Sequence, residues 1–98
     1  MVDPISLADV RRQIRLDDDD VSEDPLLTGY MVAARRVCVS QTGFSLAAGA
    51  ANGPSADDVD VIAQAMLMMV AHWYENREDS EPPAMAIWLL GQIRGRSI

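Results

Sequence analysis

Three groups of side chains carry residue types that chemistry could use: the aspartates Asp17 to Asp20, the pair His72 and Glu75, and the lone thiol Cys38. A carboxylate run is what a calcium loop needs. An EF-hand opening at Asp17 would put Ser22 at the glycine turn and Thr28 at the bidentate position; opening at Asp18 would put Glu23 and Gly29 there. Both registers fail, and the run reads as a solvated acidic turn. His72 and Glu75 stand three apart on one helix face, the spacing of paired ligands in helical metal sites. With a single His and a single Cys, the chain lacks the further ligands that a tetrahedral site takes, and only a symmetric oligomer could supply them. Nothing basic flanks Cys38, so it reads as a small buried hydrophobe rather than a reactive thiol. No base stands ready beside a Ser, Thr or Cys, and Gly49, Gly53, Gly91 and Gly95 occur singly, without the framing of a phosphate loop. The expectation is a protein that is not an enzyme and uses no metal or cofactor.

The elements that position these groups are helices. Ser6 and Asp9 have capping-box spacing, and Leu7, Val10 and Ile14 follow at helical intervals with Arg11, Arg12 and Arg15 off that stripe. This first helix is about ten residues long and too short to be stable alone. Six of the eight residues from Asp17 to Asp24 are acidic, and Pro25 follows, which suits the positive end of a helix beginning there. The second helix is expected from Asp24 to Gln41, with Leu27, Tyr30, Met31, Ala34, Val37 and Cys38 on its apolar stripe and Gly43 as its stop. Residues 45–54 read as a linker in which Leu46 is the one large apolar residue. Ser55 opens the third helix, with Asp58 at the capping-box position.

From Val59 to Tyr74 nearly every residue of that helix is apolar, whereas a one-sided stripe needs about three positions in seven. The other helices look too short or too polar to cover both faces, which predicts that another copy or a partner covers part of it. Pro82 and Pro83 break the pattern, and a fourth helix runs from about Ala84 to Gln92 before a short tail. No stretch alternates apolar and polar residues as a strand would. The fold class is therefore all-α, a small bundle of four helices (short, long, long, short) forming a single domain over residues 1–98.

Composition sets the outer bounds. The chain has 98 residues, eight Arg, no Lys and fifteen acidic residues, for a formal charge of -7. Such an excess repels phosphate backbones and excludes duplex binding by charge neutralisation. One cysteine permits no internal disulfide, no apolar run reaches the roughly 18 residues of a membrane span, and the Met1-Val2-Asp3-Pro4 start does not read as a signal peptide. These features together describe a soluble, intracellular-type acidic module.

Two stretches carry a family resemblance. The opening Ile5-Ser6-Leu7-Ala8-Asp9-Val10, then Leu16-Asp17-Asp18-Asp19-Asp20 and a helix ending near Thr42-Gly43, resembles the N-terminal half of tailed-phage head–tail connectors. Ala71-His72-Trp73-Tyr74-Glu75-Asn76-Arg77 is similar to the signature of that family's penultimate helix, and Gln92-Ile93-Arg94-Gly95 resembles a motif of related DNA-packaging proteins. The segment from Thr42 to Ser55 departs from the family, many of whose members carry strands or a longer excursion there. The resemblance implies a virion neck protein, assembled in the host cytoplasm. Such an adaptor forms a ring, commonly a dodecamer, under the portal, carries the DNA channel onward without specific DNA binding, and receives the next neck or tail-completion protein.

Within that reading, Met68, Met69, His72, Trp73, Tyr74 and Arg77 are expected at the subunit interface. Arg11, Arg12 and Arg15 are expected to pair with a neighbour's acidic run, Asp18 and Asp19 included. Gln92, Ile93, Arg94 and Arg96 are expected to dock on the portal. The competing reading is a small acidic regulatory or interaction module that sequesters a basic protein partner. It would spread its carboxylates over a broad exposed face, whereas many here sit at helix starts.

Overall fold

The computed structural model describes residues 5–15, 22–46, 53–76 and 81–93. It is all-α: α1 spans Leu7–Gln13, α2 Asp24–Thr42, α3 Ala56–Glu75 and α4 Ala84–Gly91, with no strand among the described residues. The acidic run Asp17 to Asp20 lies outside them, as do Arg77, Arg94 and Arg96.

Local chemistry sets each helix end. In α1 the Asp9 backbone N–H donates to Ser6 Oγ (3.2 Å), and the Ser6 N–H donates to the Asp9 carboxylate (3.0 Å). That second bond is the chief reason the Asp9 carboxyl titrates below its ordinary 3.8, with the Ser6 hydroxyl and Arg12 adding to it. The helix is seven residues long, shorter than its apolar spacing suggested. Arg15 turns the chain out of it at φ 65°, a left-handed conformation unusual for a residue with a Cβ.

At the far end of α2, Gly43 takes φ 78° and its N–H donates to the Val39 carbonyl at 2.9 Å. Thr42 makes this terminus more than a stop. Its buried hydroxyl donates to the Cys38 carbonyl (2.7 Å) and accepts the Phe44 N–H (3.2 Å). The chain leaving the helix is thereby aimed inward, and Phe44 and Leu46 are both buried in the core. Arg35 Nη2 holds the same segment by donating to the Leu46 carbonyl at 3.0 Å. The stretch that reads as a bland linker begins as a plug in the core.

Helix α3 is the axis of the bundle and touches the other three helices, while α1 and α4 do not touch each other. Ser55 caps it by accepting the Asp58 N–H at 3.2 Å. Ile62, Ala65, Met66, Met69, Val70 and Trp73 form its buried face. Against them pack Val10 from α1, Leu27, Ala34 and Cys38 from α2, and Ala86 and Leu90 from α4, followed by Ile93.

The wealth of apolar residues on α3 has a different outcome from the one its sequence suggests. Val61, Leu67, Met68 and Tyr74 are half-buried against the core cluster, and no large apolar side chain of this helix is exposed. The three other helices cover more of it than their lengths alone indicated. The apolar surface left over lies elsewhere.

Candidate assembly surfaces

Two helices expose large apolar side chains. On α2, Val32 is 59% exposed and Val39 38%; on α4, Met85 is 57% exposed and Trp88 60%. Val32 and Val39 are seven apart and therefore share one flank of α2, turned away from the core stripe of Leu27, Ala34 and Cys38. That flank forms the wall of a groove of about 810 Å³ closed on its other side by Ile5 and Leu7 at the start of α1 and floored by Met31 and Met66. Arg35 and Arg36 stand on its rim. Asp9 lines it as well, but its carboxylate is held by the Ser6 N–H and by Arg12.

The α4 surface has the opposite shape. Eight residues without a charge, Ala-Met-Ala-Ile-Trp-Leu-Leu-Gly, form a helix that is apolar all round. Ala86 and Leu90 face inward; Met85 and Trp88, one turn apart, stand out from the protein as a ridge. The helix is fixed from below. Trp73, buried at the end of α3, donates its indole Nε1–H to the Glu81 carbonyl at 3.2 Å, which ties the entry of α4 to α3. Tyr30 of α2 lies against the same indole, ring centroids 6.1 Å apart and planes tilted by 43°.

The structure distributes the residues singled out from the sequence unevenly. Met69 and Trp73 are core residues of their own chain. Met68, His72 and Tyr74 are half-buried along the outer side of α3, and Arg77 lies outside the described residues. Arg11 is engaged within its own chain, where its guanidinium grips Asp24 with two hydrogen bonds, Nε to Oδ1 at 3.1 Å and Nη2 to Oδ2 at 2.7 Å. The two side chains are only 12% and 23% exposed. Arg12 pairs with Asp9 in the same helix, whereas Arg15 is exposed; Asp18 and Asp19 lie outside the described residues. At the C-terminal end Gln92 is exposed but Ile93 is buried in the core, and Arg94 and Arg96 are not described.

The Cys38 thiol is buried, and desolvation pushes its pKa up to about 12, so the nucleophilic thiolate is disfavoured. Among the described residues no group of three or more His, Cys, Asp and Glu side chains converges as a metal site, and no helix is long and apolar enough to cross a membrane. What the described surface offers is a groove and a ridge, both apolar, on helices that do not pack on each other's outer face.

Sequence reasoning did not single out Val32, Val39 and Arg36. The signal was present in the seven-residue interval of the two valines, off the main stripe of α2 and beside two consecutive arginines. The Arg11–Asp24 clasp was hidden for a different reason: its partners are thirteen residues apart and belong to different helices.

No curated protein and no solved structure matches the chain significantly. The family model described as phage gp6-like head-tail connector protein matches residues 4–84, which takes in α1, α2, α3 and the turn that leads into α4. The chain belongs to the phage gp6-like head-tail connector family.

Proposed function

We propose that this protein is a structural component of the phage virion, an adaptor that joins the capsid to the tail. Copies of the chain assemble head to tail into a ring, dodecameric in the particle, beneath the portal. The ring extends the DNA channel and gives the next neck or tail-completion protein its platform. The observation that carries this reading is the match to the connector family over residues 4–84. Two physical features support it. Separate apolar surfaces on α2 and α4 are what a subunit needs in order to have a neighbour on each side. A formal charge of -7 per chain, repeated around a ring, suits a passage along which DNA moves without adhering.

Mechanically, each part of the chain has a task. The bundle of α1 to α3 is the rigid body, with its short helix clasped to α2 by Arg11 and Asp24. The segment after Leu90 is the portal-facing element. Ile93 anchors it in the core, Gln92 is exposed beside it, and Arg94 and Arg96, next in the sequence, complete the set that docks on the portal.

The test is genetic and microscopic. Phage lacking this gene are expected to package DNA into capsids that remain tailless, and a plasmid copy restores joining. Tailed particles formed without it would refute the assignment. A ring of this chain seen by electron microscopy on purified portal supports it, and a portal that binds no copy counts against it.

A further inference from the structure

We infer that the α4 ridge of one copy, Met85 and Trp88, seats in the α1–α2 groove of the next copy. The inference rests on the ring reading above and names the contact that closes each step of it. Four observations lead to it.

First, the two surfaces are complementary in form. The groove, about 810 Å³, lies within the size range of pockets that enclose organic ligands, with room for an indole and a thioether together. The ridge is convex and ends in the most exposed large apolar side chain of the described residues, Trp88 at 60%. A single aromatic residue buries about 150–250 Å², and tryptophan is the side chain most enriched among interface hot spots.

Second, the ridge of a chain lies away from its own groove. Helix α4 packs on α3 and α2 of its own chain. Val32 and Val39 line the groove beside α1, and α1 does not touch α4. An α4 helix seated in the groove therefore comes from another molecule.

Third, the charges agree. Arg35 and Arg36 are on the groove's rim, and Arg36 is exposed with no ion pair among the described residues. The described stretch Glu81 to Ile93 contains no basic residue, and its one carboxylate, on exposed Glu81, stands three residues before α4. An α4 occupant therefore brings no like charge against the exposed Arg36.

Fourth, the symmetry follows. A ridge pairing with a ridge would make a closed two-fold dimer and leave every groove empty. A ridge in a groove leaves one free groove and one free ridge after each addition, the condition for a ring.

The experiment uses the full chain. Cys38 is buried, so thiols placed on the surface report alone. Val32→Cys and Met85→Cys are made singly and together, both at exposed positions, and each protein is treated at high concentration with a short bismaleimide. The double variant is expected to give a ladder reaching beyond the dimer, while each single variant stays largely uncrosslinked. Trp88→Ala in the double-cysteine background should weaken association about thirty-fold, the effect of truncating a hot-spot aromatic, and the ladder should fade at the same protein concentration. Its circular dichroism should remain that of the parent, since Trp88 is outside the core.

Dimers formed by Met85→Cys alone would overturn the proposal in favour of a two-fold α4 contact. Rings visible by microscopy without a ladder in the double variant would overturn this contact while leaving the ring reading intact. A chain that is monomeric at every concentration, on the portal as well as free, would overturn both.

Discussion

The clasp between Arg11 and Asp24 offers the sharpest quantitative test of how this small bundle is held together. It is a bidentate, charge-assisted pair spanning two helices, with side chains 12% and 23% exposed. An exposed ion pair is worth about 0.2–1 kcal/mol, and removal of one partner from a fully buried pair costs about 3–5 kcal/mol. Partial burial with two good hydrogen bonds places this pair between those limits. Arg11→Ala and Asp24→Ala are each expected to cost about 2 kcal/mol, because each leaves a half-desolvated charge behind. The coupling energy from the double-mutant cycle is expected near 1.5 kcal/mol. For a chain of this size 1 kcal/mol moves Tm by about 4–8 °C, so each single variant should melt roughly 8–16 °C lower. Urea titrations followed by far-UV circular dichroism, run at two protein concentrations and two salt concentrations, measure all four corners of the cycle. A coupling below about 0.3 kcal/mol would refute the reasoning, since the pair would then behave as a surface pair. A coupling that grows with protein concentration would also refute it, because Arg11 would then be serving a neighbouring copy.

Further expectations follow from other local arrangements. Thr42→Val removes both hydrogen bonds of the buried hydroxyl and leaves the Phe44 N–H without its acceptor; the expected loss is about 1–3 kcal/mol by denaturant titration, with Thr42→Ser close to the parent. The Cys38 thiol should resist Ellman's reagent at neutral pH in the folded protein and react fully in denaturant. Because its folded pKa is raised from 9.0 to about 12, its contribution to stability is complete below pH 9 and is lost as pH climbs toward 12; a Cys38→Ala variant should lack that alkaline slope, and an identical slope in the variant would count against burial as its cause. Asp9 is shifted the other way, so its contribution is complete above pH 3.8 and disappears as pH falls through its lower folded value. Carboxyl chemical shifts followed by NMR should give Asp9 a midpoint under 3.8, and a midpoint at or above it would show that the Ser6 cap does not persist in solution.

The helices were legible because their ends are written in local residue chemistry. Ser6 with Asp9, Pro25, Gly43, Ser55 and the Pro82-Pro83 pair each act within a few positions of where they stand, and every one coincides with a helix boundary to within a residue or two. The stripe of Leu27, Ala34 and Cys38 likewise became core, as helical periodicity demands. The harder matter was how much of α3 its own chain covers. Phe44 and Leu46 fold back into the core from the end of α2, held by the Thr42 hydroxyl and by Arg35. Periodicity within a single helix has no access to such a contact.

The same limit applies to the assembly surfaces. His72, Trp73 and Tyr74 drew attention because of their types and their family likeness, yet Trp73 is a core residue and its neighbours are half-buried. Val32 and Val39 are unremarkable as types and become significant only when α1 is set beside them to make a groove. Trp88 and Met85 belong to a helix with no charged residue, and their exposure follows from Ala86 and Leu90 being the residues that face inward.

Cryo-electron microscopy of the phage neck tests the central claim most directly. The expected density is a ring of this chain between portal and tail, with the indole of Trp88 from each subunit lodged beside Val32 and Val39 of its neighbour. A neck whose density at that level is filled by other proteins, with no copy of this four-helix bundle, would contradict it.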